Sequence, residues 1–104
     1  MANVEREFYA NAGALLGPGG KIGLVSGFNP SVTTYYLQLH NSLAPAPGAV
    51  PKKCFLVPGF GNFSYGPSSF AKPWTASCVF RVSSTPNVLT AAAQVFWVEV
   101  EGVE

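Results

Sequence analysis

Hydrophobic and polar side chains alternate with a period of two along Tyr35–Ser42, which is the clearest strand signal in the chain. Tyr35, Leu37 and Leu39 fall on one face, and Tyr36, Gln38 and His40 fall on the other. Such alternation of aromatic and aliphatic residues is typical of a half-buried β-strand. Asn41 and Ser42 end the segment, because their side chains compete for backbone hydrogen bonds.

Further strands are predicted where short apolar or alternating runs are bounded by Gly, Pro or Asn. They are Gly13–Leu16, which is brief, Lys21–Phe28, Lys53–Val57, Gly61–Tyr65, Thr75–Ser83 and Gln94–Glu101. The proline-rich Leu43–Pro51 is predicted to cross from one sheet to another, and Val88–Ala93 is the one place for a helical turn. The pattern predicts an all-β fold, an antiparallel β-sandwich of jelly-roll-like type with about six to eight short strands.

The chain has 104 residues, which predicts a single domain. Residues 1–12 mix charged residues with Phe8 and Tyr9 and are assigned as an N-terminal arm. This segment has two interpretations, a flexible arm that orders against a partner or a short edge strand. Residues 13–104 are assigned to one β-sandwich domain.

Charged residues are scarce and unevenly placed. They make up 11% of the chain, against about 25% in an average soluble domain. All five carboxylates lie near the ends, at Glu5, Glu7, Glu99, Glu101 and Glu104. A net charge of +1 argues against a nucleic-acid binder, and no run is long and apolar enough to predict a membrane span. So few charges predict that apolar surface is buried against other subunits.

Groups able to perform catalysis are not clustered in the sequence, so an enzyme is not predicted. Glu99 and Glu101 share a strand face about 7 Å apart, and we interpret them as a solvated charged edge. His40, Cys54 and Cys78 lack the short spacing of a metal site, and neither a metal nor another cofactor is predicted. Both cysteines are interpreted as buried free thiols, although they could pair.

The glycine- and aromatic-rich segment Gly59–Gly66 superficially resembles the base-stacking segment of RNA-recognition domains, but the two helices of that fold are missing. We interpret it as a kinked strand whose aromatic residues pack into a core or against a neighbouring subunit. Lys52 and Lys53, with Lys72 and Arg81, are predicted to form a modest basic face. This face would serve either solubility or docking to an acidic partner.

Several segments together resemble a family of small all-β proteins encoded among the structural genes of tailed bacteriophages. The similarity covers about four-fifths of the chain, from Lys21 to Val100. It is carried by Tyr35–Ser42, the crossing that ends in Ala49-Val50-Pro51, the turn Tyr65-Gly66-Pro67, the run Val79–Pro86, Leu89-Thr90-Ala91 and the aromatic last strand. The resemblance implies a jelly-roll-like sandwich without catalytic chemistry that forms a homo-oligomer, often a trimer. This chain departs from the family in its acidic ends and its Phe and Trp content.

The expected function is therefore a non-enzymatic virion structural protein that decorates and cements a bacteriophage capsid. The expected partners are further copies, with a trimer favoured, and the major capsid protein, without nucleic acid or membrane. The expected location is the outer capsid surface of a virion assembled in the host cytoplasm. The alternative is a tail or fibre module that recognises a host-surface glycan, and a small hydrolase is a remote third class. The predicted contact residues are Phe8, Tyr9, Lys52, Lys53, Phe60, Phe63, Tyr65 and Trp97.

Overall fold

Eight β-strands build the protein in a computed structural model that describes residues 3–66 and 73–104. The strands are β1 (Asn3–Ala10), β2 (Ala12–Leu16), β3 (Lys21–Phe28), β4 (Tyr35–Asn41), β5 (Lys53–Val57), β6 (Asn62–Tyr65), β7 (Cys78–Ser83) and β8 (Phe96–Val103). No helix occurs in these two ranges. The all-β prediction is confirmed.

The strands form two four-stranded antiparallel sheets that pack face to face. Sheet A has the order β1-β8-β3-β6, and sheet B has the order β2-β7-β4-β5. The first strand thus pairs with the last, the second with the seventh, the third with the sixth and the fourth with the fifth. This nested pairing, divided over two sheets, is the jelly-roll arrangement. The jelly-roll-like β-sandwich predicted from the alternating segments is therefore confirmed.

The core consists of the inward-facing positions of both sheets. In β8 the alternation is complete, since Phe96, Val98 and Val100 are buried while Trp97, Glu99 and Glu101 are exposed. Opposite them, β7 contributes Cys78, Phe80 and Val82 to the interior. Two aromatic contacts help to join the sheets: Phe8 meets Phe80 edge-on at 5.2 Å between ring centroids, and Tyr35 meets Phe96 at 6.4 Å.

Two glycines in β3 explain how this strand pairs. The register against β8 shifts between Ile22 and Leu24, which places a β-bulge at Gly23. The bulge puts Ile22 and Val25 into the core and leaves Leu24 exposed, a change of face that strict alternation does not predict. At Gly27 a Cβ atom would lie 2.0 Å from the carbonyl oxygen of Trp97, so only glycine fits there.

The described part of the N-terminal segment is an edge strand, which is the second of the two interpretations given for residues 1–12. Residues Asn3–Ala10 pair with β8 along their whole length. The reason is the alternation of the segment, which turns Val4, Phe8 and Ala10 towards the core. Arg6 lies on the same side of β1 but stays partly exposed; its Nη1 donates to the Leu15 carbonyl at 2.7 Å and its Nη2 pairs with Glu104 at 3.0 Å.

Two connections differ from the predictions. Leu43–Pro51 does not cross between sheets, because the strands on either side of it, β4 and β5, are neighbours in sheet B. Val88–Ala93 forms no helical turn, because its backbone bonds to β7 instead: the Ala92 amide donates to the Val82 carbonyl at 3.0 Å. The turn Tyr65-Gly66-Pro67 and the basic residue Lys72 fall partly or wholly on 67–72, outside the described residues.

Strand β4 is buried on both faces rather than half-buried. Its polar outer face is covered by the connection that follows β7, and Gln38 and His40 are almost fully inaccessible. The side-chain amide of Gln38 donates to the carbonyl oxygens of Thr85 at 2.8 Å and Val88 at 3.0 Å. These hydrogen bonds attach the connection to the sheet, which is why a strand with a polar face can lie at the centre of the fold.

Candidate binding surface on the outer face of sheet A

The outer face of sheet A is open to solvent and carries side chains in three cross-strand rows. The first row contains Tyr9 on β1, Trp97 on β8, Phe28 on β3 and Asn62 on β6. The second contains Glu7, Glu99, Ser26 and Ser64 in the same strand order. The third contains Glu5, Glu101 and Leu24. An aromatic row thus lies beside two acidic rows on one sheet.

The aromatic row is centred on Tyr9 and Trp97. Their rings stack at 4.2 Å between centroids with an interplanar angle of 27°, yet 55% of Tyr9 and 53% of Trp97 remain exposed. Phe28, the register neighbour of Trp97 on β3, is half-buried. Large aromatic rings exposed together on a rigid sheet are unusual on a surface without a partner, because such rings dominate the energetics of interfaces.

The acidic rows bring like charges directly opposite one another. Glu5 is the register partner of Glu101, and Glu7 is the register partner of Glu99. Opposed side chains in an antiparallel pair lie roughly 5 Å apart at Cβ, and like charges there are destabilising. The interpretation of Glu99 and Glu101 as a charged edge is corrected, because β8 lies between β1 and β3 and its carboxylates stand on an open face.

One end of this face is shaped as a shallow depression of about 660 Å³. Glu5, Lys21, Leu24 and Glu101 are among the residues that line it. It lies beside the bulge at Gly23 and away from the aromatic row. The face therefore has an aromatic end and, at its other end, a depression that Glu5 and Glu101 share with Lys21.

The turn between β5 and β6 lies at the aromatic end of the face. The Asn29 amide, next to Phe28, donates to the Gly61 carbonyl at 2.9 Å, and the Phe60 amide donates to the Ser31 carbonyl at 2.8 Å. Phe60 has a φ of +54°, a left-handed conformation that is strained for a bulky residue, and 60% of it is exposed. The turn thus adds a third exposed aromatic ring at this end of the sheet, after Tyr9 and Trp97.

The eight predicted contact residues separate into two groups. Tyr9, Trp97, Phe60, Lys52 and Lys53 are exposed, and their role as contacts stays a prediction. Phe63 is a core residue with 8% exposure, and Phe8 and Tyr65 are half-buried against the core, so their role as contacts also stays a prediction. Phe63 and Tyr65 point inward because they lie opposite Gly27 and Val25.

The two lysines lie at different places. Lys52 places its Nζ 4.7 Å from the ring centre of buried Trp74, while Lys53 places its Nζ 5.9 Å from the ring centre of Tyr65. Both are cation–π contacts within the chain. The two side chains therefore cover different rings rather than presenting one paired patch.

The cysteines are both free, Cys78 buried and Cys54 exposed, so the prediction of burial is wrong for Cys54. Burial raises the pKa of the Cys78 thiol to about 12 and also raises the pKa of Cys54. A thiol nucleophile requires the opposite shift. Across residues 3–66 and 73–104, no three His, Cys, Asp or Glu side chains are grouped to hold a metal ion. No helix in those residues could cross a membrane.

Burial of polar side chains on the outer face of sheet B is not predicted by the sequence, which indicates Arg81 only as part of a basic face. Arg81 on β7 lies between Ala12 on β2 and Gln38 on β4. Its Nε is buried and has no hydrogen-bond partner among the described residues. Nearby His40 is buried, with its Nε2 2.9 Å from the Gln38 Oε1, and burial together with the Arg81 charge lowers its pKa. Only the register of β7 reveals this group, because Arg81 reads in the sequence as an ordinary surface residue.

Relatives offer no independent guide to this face. Comparisons of the chain with protein-family models, with curated proteins and with solved structures found no match.

Proposed function

We propose that this chain is a non-enzymatic virion structural protein that decorates and stabilises a bacteriophage capsid. The outer face of sheet A, with its exposed Tyr9–Trp97 stack beside opposed glutamates, is the observation that supports a binding role. Its carboxylates carry a mutual repulsion that a cationic partner surface would relieve. Its stacked rings would supply the apolar centre of the contact.

The sandwich suits such a role because its shape does not depend on a ligand. A jelly roll with a continuous core presents the face on interior strand β8, flanked by β1 and β3. The side chains are therefore held in place before binding, which lowers the entropic cost of forming the contact. The capsid is proposed as the partner because of the resemblance to small all-β phage proteins. Neighbouring copies on the capsid would also contact one another.

The experiment is binding of the purified chain to capsids that lack it. Co-sedimentation measures the bound amount, and electron microscopy of the particles shows where the copies sit. Trp97→Ala is expected to reduce binding at least tenfold while leaving the fold intact, since the residue is exposed. Leu43→Ala is the matched control, because Leu43 is an exposed apolar residue in the β4–β5 connection. Failure of the wild-type chain to bind capsids would contradict the proposed function.

A second candidate is recognition of a host-surface glycan by a tail or fibre module. The same stack favours it, because exposed aromatic rings stack on the apolar faces of sugars and the neighbouring Glu7 and Glu99 can accept hydrogen bonds from hydroxyl groups. Binding on a glycan array that Trp97→Ala abolishes, with labelled copies found on tails, would support it. Copies confined to the head surface would contradict it.

A further inference from the structure

The connection between β1 and β2 is a single residue, Asn11, although it joins strands of different sheets. The β2–β3 and β5–β6 connections also pass between the sheets, and they span residues 17–20 and 58–61. Most connections in compact domains have about four to six residues. The chain therefore reverses direction abruptly at Asn11, and short hinges of this kind favour the exchange of an element between copies.

Asn11 itself is fixed to the sheet B side of the sandwich. Its carbonyl oxygen accepts a hydrogen bond from the Val82 amide at 2.9 Å, and its side-chain amide donates to the Ala92 carbonyl at 3.0 Å. The pivot of β1 therefore lies between Ala10 and Asn11. Rotation of the backbone there moves β1 as a unit and leaves β2 in its place.

The position of β1 is a complete docking site for a strand. β8 pairs with all eight residues of β1. The ring of Phe8 packs edge-on against Phe80 and lies so close to Gly13 that a Cβ there would be 2.7 Å from it. Arg6 donates to the Leu15 carbonyl at 2.7 Å. All of these partners lie beyond the hinge in the chain, so β1 of a second copy would find the same contacts.

Opposed charges weaken the attachment of β1 to its own copy. Glu5 lies opposite Glu101 and Glu7 lies opposite Glu99, and like charges directly opposite one another destabilise an antiparallel pair. This repulsion makes β1 easier to release. It is the same in either copy, so the hinge decides where β1 docks.

We propose that copies of this chain exchange β1, so that β1 of one copy pairs with β8 of another. The second copy is argued as the occupant from identity, because the site already fits this strand. Straightening at the hinge turns residues 3–16 into one extended segment of about 46 Å, at roughly 3.3 Å per residue. Exchange is reciprocal between two copies, and it also closes around a ring of three.

Exchange makes the Tyr9–Trp97 stack a surface shared by two copies. Tyr9 comes from one copy and Trp97 from the other, because the two residues are register partners on β1 and β8. Residues 3–10 are then both an arm that orders against a partner and an edge strand. The inference rests on the proposed function, since it names the contact between copies and completes the surface proposed to bind the capsid.

The experiment places one thiol on β1 and another opposite it on β8. Glu7→Cys with Glu99→Cys, in a Cys54→Ser background, is treated with a short bis-maleimide and run on a denaturing gel. Exchange is expected to give cross-linked species of two or three times the 11.0 kDa of one chain, whereas an unexchanged β1 is joined within its own chain. Ser26→Cys with Ser64→Cys, which are register partners on β3 and β6, is the control and is expected to cross-link within the chain.

The hinge gives an independent test by sedimentation velocity. Three glycines inserted between Ala10 and Asn11 should let β1 fold back onto its own copy and weaken association at least about tenfold. The same insertion between Ala46 and Pro47, in the β4–β5 connection, is the control and should leave association unchanged. Association of the wild-type chain should persist at about 500 mM salt, because core contacts and backbone hydrogen bonds hold the exchanged strand.

The outcomes separate the exchange from the proposed function. A monomeric wild-type chain, cross-linking of Glu7→Cys with Glu99→Cys only within single chains, or unchanged association after the hinge insertion would each overturn the exchange. Capsid co-sedimentation of the wild-type chain is measured in parallel. Capsid binding by a monomer would overturn the exchange and leave the proposed function standing. Cross-linking between chains that do not bind capsids would support the exchange and contradict the proposed function.

Discussion

The Nε2 of His40 and the Oε1 of Gln38 lie 2.9 Å apart inside the folded chain, on a strand face that the alternation of the sequence assigns to solvent. The Gln38 amide nitrogen donates to backbone carbonyls, so its oxygen accepts the His40 N–H. The imidazole is held neutral, because burial and the Arg81 charge both lower its pKa. Gln38 joins β4 to the connection after β7, and the buried imidazole beside it gives the stability of the fold a dependence on pH.

Stability should fall as the pH drops below about 6.5, the ordinary pKa of histidine. The unfolded chain then binds a proton that the folded chain binds only at lower pH, so acid favours the unfolded state by at most about 1.4 kcal/mol per pH unit. Denaturant titrations between pH 7.5 and 5.5 measure this slope. His40→Gln retains a polar side chain without a titrating group and should remove most of the slope. An unchanged slope in that variant would contradict the assignment.

Replacing Gln38 by Leu should lower the free energy of unfolding by about 1–3 kcal/mol, because the carbonyls of Thr85 and Val88 and the His40 N–H would lose their partner. Urea denaturation of the two proteins measures the difference. Gln94→Leu is the control, since the Gln94 amide bonds only to the adjacent Val95 carbonyl, and it should change stability by less than about 0.5 kcal/mol. Equal effects of both substitutions would contradict the role of Gln38.

The fluorescence of Trp97 should report the charge of the acidic face. Trp97 is 53% exposed and Trp74 is 4% exposed, so Trp74→Phe isolates the surface residue. A cationic quencher such as caesium should then quench more strongly than anionic iodide at low salt, because four carboxylates concentrate cations near the ring. Combining Trp74→Phe with Glu7→Gln and Glu99→Gln should reduce this preference. Equal quenching by the two ions before those changes would contradict a negative potential at the face.

The backbone of Phe60 is strained by its positive φ, while the ring of this residue is exposed. Phe60→Gly should therefore raise the free energy of unfolding by up to about 1 kcal/mol, because glycine adopts a φ of +54° without strain. Asn62→Gly, at the exposed first position of β6, should instead lower the free energy of unfolding by about 0.5–1 kcal/mol. If Phe60 is a contact residue, the stabilised variant should bind capsids more weakly. A destabilised Phe60→Gly would show that the ring contributes more than the strain costs.

Local alternation was sufficient to predict most strands. Lys21–Phe28 and Lys53–Val57 are observed with the predicted bounds, because each is a short run closed by turn residues. The exposed face of β8 was also foreseen, since period two fixes which of its side chains share a side. The local pattern of hydrophobic and polar residues does not determine the register between paired strands. The opposition of Glu7 to Glu99 depends on how two ends of the chain align, and that alignment is set by packing of the core.

The same limit explains the errors on β4 and Leu43–Pro51. Gln38 has the sequence pattern of a surface residue because its partners, Thr85 and Val88, follow β7, 47 and 50 residues later in the chain. The prolines of the β4–β5 connection exclude regular structure, which is correct, but they do not indicate where the chain returns. Phe63 was predicted as a contact because aromatic content alone does not distinguish a core residue from an interface anchor.

The nested strand pairing has a consequence for assembly. Closure of β4 on β5 joins residues that are near in sequence, whereas β1 and β8 come from opposite ends of the chain and incur the greatest loop-closure entropy. The surface that carries Tyr9 and Trp97 therefore comes into being only when the most distant strands have met. A copy in which β1 and β8 have not paired would lack that surface. A partner that binds the surface would therefore select fully folded copies.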